Sequence, residues 1–72
     1  MNPEDYTIEI TREENDGEVW YVGKVKEFPS VITFEFSTEE AREGIIKIIN
    51  KLYNMYTKND EEFPQPLSTK KS

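Results

Sequence analysis

A chain of 72 residues with neither cysteine nor histidine must hold a single small core together without disulfides and without the usual zinc, iron or copper ligands. So short a chain sits near the stability limit of independent folding. Association with a partner or with a second copy is therefore a natural source of added stability, and homo-oligomerisation is expected.

Fifteen acidic residues against nine basic ones give a formal charge of −6. That balance repels phosphate backbones and anionic lipid surfaces, so direct nucleic-acid binding is disfavoured and a basic protein is the better-matched partner. An acidic surface that only keeps a small protein soluble is the plainer reading of the same charge. No apolar run approaches the ~18 residues of a membrane span. The opening Met1-Asn2-Pro3-Glu4-Asp5 is acidic where a secretory signal is basic and then apolar, so a cytoplasmic location is expected.

Along the chain, Tyr6 to Arg12 alternates strictly, with Tyr6, Ile8 and Ile10 opposed to Thr7, Glu9 and Thr11, which predicts a first strand. Glu13 to Gly17 reads as the hairpin loop, its Asp16-Gly17 supplying tolerance of positive φ. Glu18 to Val25 predicts a second strand that is apolar on both sides, Trp20 and Val22 pointing one way, Val19 and Tyr21 the other. After a bend through Lys26-Glu27-Phe28-Pro29, Val31 to Phe36 alternates as a third strand. Ser37-Thr38-Glu39-Glu40 fits a capping box. Ala41, Ile45, Ile48, Ile49, Leu52 and Tyr56, broadened by Ile46 and Tyr53, then form one helical face reaching about Tyr56. The expected fold is α+β, a three-stranded antiparallel meander packed on one C-terminal helix. A βββα domain over 1–66, in which Phe63 tucks against the core, is followed by a disordered tail over 67–72.

No catalytic apparatus is legible. Gly17, Gly23 and Gly44 are too far apart for a phosphate-binding loop, and no serine sits in a nucleophile elbow. Glu13, Glu14 and Asp16 share a loop but lack an EF-hand spacing, and a solvated turn is their plainer reading. The expectation is no enzyme, no metal and no cofactor. What remains is an apolar surplus. One helix covers one face of the sheet, so either Val19 and Tyr21 or Trp20 and Val22 are left over, and a scattered surface aromatic without a role is the competing reading. The expected interface is Val19, Tyr21, Val31 and Thr33, and a sheet edge offers strand addition as a second binding mode.

The order of elements, together with Tyr6-Thr7-Ile8-Glu9-Ile10, Asp16-Gly17-Glu18-Val19-Trp20-Tyr21-Val22, Phe28-Pro29-Ser30-Val31, Ser37-Thr38-Glu39-Glu40-Ala41 and Phe63-Pro64-Gln65-Pro66, resembles the HicB-like antitoxin domain. Ser30 and Glu35 stand where that family usually has glycine. The resemblance implies a partial ribonuclease H fold without catalytic residues, in a member expected to lack the DNA-binding module that full-length relatives carry. It also implies neutralisation of a small basic toxin of the HicA type by covering its active surface. The alternative expectation is a phage or mobile-element inhibitor of a host defence protein, or a small-molecule sponge, acting as a homo-oligomer.

Overall fold

The structure, a computed structural model, describes residues 1–67. Three strands, β1 (Ile8–Asn15), β2 (Glu18–Val25) and β3 (Ile32–Glu35), form one antiparallel sheet in the order β1-β2-β3, followed by the helix α1 (Thr38–Lys58). This is the expected α+β meander with a C-terminal helix. Of the tail expected over 67–72, residues 68–72 lie outside the described residues. No helix among the described residues is long and apolar enough to cross a membrane.

The elements differ from their predicted limits for local reasons. Strand β1 continues through Glu13 to Asn15, because the chain reverses in only two residues, Asp16 at φ 52° and Gly17 at φ 80°. Two successive positive φ values match the right-handed twist of the flanking strands, the geometry that Asp-Gly favours. Polar residues at 13–15 hide this extension from a hydrophobic pattern. Before β1, a single 3-10 turn at Pro3–Asp5 is capped by the Asn2 side chain, which accepts from the Glu4 amide at 3.1 Å, with proline at the first helical position. Strand β3 is two residues shorter than its alternation suggests.

Helix α1 starts where the capping box places it. The Ser37 hydroxyl oxygen accepts from the Glu40 amide at 3.1 Å, while the Glu40 carboxylate accepts from the Phe36 amide at 3.2 Å, one residue earlier than the usual return bond. The helix runs two residues past Tyr56 and stops at a Schellman turn. The Glu61 amide donates to the Tyr56 carbonyl at 2.8 Å and the Asp60 amide to the Thr57 carbonyl at 3.1 Å, with Asp60 left-handed at φ 59°.

The core sits between β2 and α1 and continues under the helix C-terminus. Val25, Ala41, Ile45 and Ile49 are almost fully buried. Phe63 is the centre of an aromatic cluster, its ring 5.2 Å from those of Tyr53 and Tyr56, 5.3 Å from Phe28 and 5.9 Å from Tyr6. That packing explains why a chain past the helix stays on the domain. A Glu27 clasp finishes the attachment: its carboxylate accepts from the Thr7 amide at 3.0 Å, the Thr7 hydroxyl at 3.0 Å and the Leu67 amide at 2.8 Å. Burial alone would raise the Glu27 carboxyl, but these donors outweigh it and hold the group below its ordinary value. The Tyr6 hydroxyl donates to the Pro64 carbonyl. Burial, and then the nearby Glu27 and Asp5 charges, push that phenol upward.

Candidate functional site: the uncovered face of the sheet

Which face of β2 the helix covers is settled at Gly23. A Cβ there would lie 2.8 Å from Thr33 Oγ1, 3.0 Å from Ile45 Cγ1 and 3.2 Å from the Ala41 carbonyl oxygen, so α1 rests directly on this position. Side chains alternate along a strand. Val19, Tyr21 and Val25 therefore share the helix side with Gly23, and Trp20, Val22 and Lys24 project from the opposite side.

The four residues of the expected interface fall on the helix side of the sheet. Val19 and Tyr21 lie on the helix side of β2, Thr33 lies against Gly23 and Gly44 beneath the helix, and Val31 packs on the core cluster. None of the four belongs to the uncovered face. The other pair weighed from the sequence, Trp20 and Val22, is on it. Period-2 alternation could not choose between the pairs because both are apolar. The signal that chooses is Gly23, the one position on β2 with no side chain to hold the helix away.

The registers of the two strand pairs arrange the uncovered face in three cross-strand rows: Glu13–Trp20–Phe36, Thr11–Val22–Phe34 and Glu9–Lys24–Ile32. Phe36 lies one step beyond the end of β3 and continues the register. Its ring stacks on Trp20, with centroids 4.9 Å apart and planes at 29°. Read across the strands, the face has an acidic rail on β1 (Glu9, Glu13), a bulky middle on β2 and an apolar rail on β3. The apolar rail is open to solvent, Ile32 at 44 %, Phe34 at 57 % and Phe36 at 72 % exposure, whereas Val22 beneath it is buried at 6 %. Three large apolar residues adjacent on one rail form a contiguous patch rather than the scatter expected of an ordinary surface.

Between the rails lies a shallow trough of about 300 Å³, floored by Trp20 and Val22 and bounded by Glu13, Lys24, Ile32 and Phe34. A second depression of about 350 Å³ lies between the N-terminal turn and the C-terminal segment, against Tyr6, Tyr53 and Phe63. Glu13 and Glu14 occupy successive positions of β1 and so point to opposite faces. Among the described residues, no group of three or more carboxylates gathers to hold a metal ion. The face is thus apolar on one side, acidic on the other, and stiffened by an aromatic stack. Comparison with protein-family models, with curated proteins and with solved structures finds no match to this chain.

Proposed function

We propose that this chain is a non-catalytic protein-binding module of the HicB antitoxin type, which lays the uncovered face of its sheet on a small basic toxin and occludes the toxin's active surface. The observation that carries this reading is the pairing of rails on that face. Ile32, Phe34 and Phe36 offer apolar area to bury, while Glu13, and Glu9 on exchanging its ion pair with Lys26 at 3.6 Å, offer carboxylates to the lysines and arginines rimming a basic surface. Apolar burial supplies the affinity, and the acidic rail sets orientation and speeds encounter. The −6 charge and the resemblance from Tyr6 to Pro66 support the same partner class. In this reading the chain carries out no reaction of its own.

The test is co-expression with a panel of HicA-type toxins, read as restored growth and as affinity of the purified pair. Wild type restores growth with a cognate toxin. Phe34→Asp weakens binding by about thirtyfold or more, matching the ~2 kcal/mol scale of an interface hot spot, while its far-UV circular dichroism stays unchanged because the ring is exposed. Binding that Phe34→Asp leaves intact, or no binding to any toxin of the panel, sinks the proposal.

A further inference from the structure

The two edges of the sheet are not alike. Strand β1 carries four charged residues in eight, Glu9, Arg12, Glu13 and Glu14, the kind of decoration that discourages edge pairing. Strand β3, Ile32-Thr33-Phe34-Glu35, carries one. Its far edge has no backbone partner among the described residues, since β2 alone pairs with it. Above that edge runs a matching strip of α1. A Cβ on Gly44 would lie 3.5 Å from Glu35 Oε2 and from Thr33 Cγ2, which fixes Gly44 on the β3 side of the helix. Residues 48, 51 and 55 follow Gly44 at helical spacing on the same flank. That flank therefore presents the half-buried Ile48 and the exposed Met55 beside a glycine that lets another helix come close.

From this edge we infer that the occupant is a second copy of the chain, paired antiparallel through β3 about a two-fold axis at Phe34. The parity of the strands then sets Phe34 against Phe34 of the second copy, and Ile32 against Phe36 of the second copy, all on the uncovered face. The same axis runs the two α1 helices antiparallel with Gly44 beside Gly44 of the second copy. Glu40, one turn before Gly44, then meets Lys47 of the second copy, and the reciprocal pair forms by symmetry. Charge selects this edge for self-association. Glu35 and Glu40 are balanced there by Lys47 and Lys51, whereas the β1–β2 hairpin holds Glu9, Glu13, Glu14, Asp16 and Glu18 against Arg12 and Lys24, so two copies of a −6 chain meet where neither is acidic. The six-stranded sheet that results joins the two apolar rails into one stripe. The inference stands whether or not a basic toxin docks on that stripe.

The test is sedimentation velocity of the full chain over a concentration series, beside the variants Gly44→Arg and Lys47→Glu. Wild type is expected to move as a dimer of twice 8.5 kDa. Gly44→Arg replaces a helix-interior glycine by a better helix former at a position with ordinary van der Waals room, so the monomer keeps its circular dichroism while dimer dissociation rises at least tenfold. Lys47→Glu, at an exposed site away from the Glu40–Phe36 cap, weakens the dimer while the monomer keeps its fold. A wild-type monomer at every concentration overturns the inference, as does a dimer that either Gly44→Arg or Lys47→Glu leaves intact.

Discussion

Adding one methyl group to Gly23 tests the fold where the helix meets the sheet. In Gly23→Ala the new carbon would sit 2.8 Å from Thr33 Oγ1, 3.0 Å from Ile45 Cγ1 and 3.2 Å from the Ala41 carbonyl, all closer than the ~3.5–4.0 Å at which such atoms attract. Thr33 and Ile45 are branched at Cβ, and the third neighbour is backbone, so none yields easily. Overpacking of this kind costs about 1–3 kcal/mol. The lower entropy of the unfolded alanine chain offsets roughly 0.4–1 kcal/mol of that, leaving a net loss of about 1–2 kcal/mol. In a domain this small the midpoint of thermal unfolding then falls by about 5–15 °C. Gly44→Ala supplies the opposite sign. Its nearest neighbours stand at 3.5 Å, so helix propensity should raise stability by up to about 1 kcal/mol, measured dilute enough that no second copy is bound. The assay is urea unfolding followed by far-UV circular dichroism. If Gly23→Ala is as stable as wild type, α1 does not rest on β2 at this position, and the assignment of the uncovered face falls with it.

Two further expectations follow from the ends of the domain. Because the Glu27 carboxyl titrates below its ordinary 4.5 when folded, its contribution is fully present above that value and is lost as pH falls through the depressed folded pKa. Glu27→Gln should flatten the acid limb of a stability–pH profile below about pH 4.5, and a limb of unchanged slope would remove the clasp from the account. Asp60 holds φ 59° at the helix C-terminus, a conformation that costs residues with a Cβ. Asp60→Gly should therefore raise stability by about 0.5 kcal/mol in urea unfolding, and a loss of stability would contradict the Schellman geometry.

The resemblance to the HicB-like domain and the charge balance frame the functional reading, but the uncovered face gives it residues. Glu27 illustrates how far such information can lie from a sequence pattern. In the chain it is one polar residue in a bend, whereas in the fold its carboxylate joins Thr7, 20 residues away, to Leu67, 40 residues away. Tyr6 likewise reads as one tooth of an alternating strand. Its hydroxyl binds a carbonyl 58 residues further on.

What the sequence determined by itself was everything governed by neighbours within a few residues. Alternation marked the strands, Asp16-Gly17 the reversal, Ser37 to Glu40 the helix start, and the Ala41–Ile45–Ile49 spacing the buried stripe. Strand limits slipped where polar residues carried the pairing, as at Glu13 to Asn15. Tertiary structure alone decided which side of β2 meets α1, because Val19 with Tyr21 and Trp20 with Val22 are apolar to similar degrees and a period of two does not distinguish the faces. The deciding interaction joins Gly23 of β2 directly to Ala41 and Ile45 of α1, and it depends on how closely two backbones can approach. Hydrophobic periodicity carries no record of that distance, so Phe34 and Phe36 became surface residues although their pattern alone suited a core.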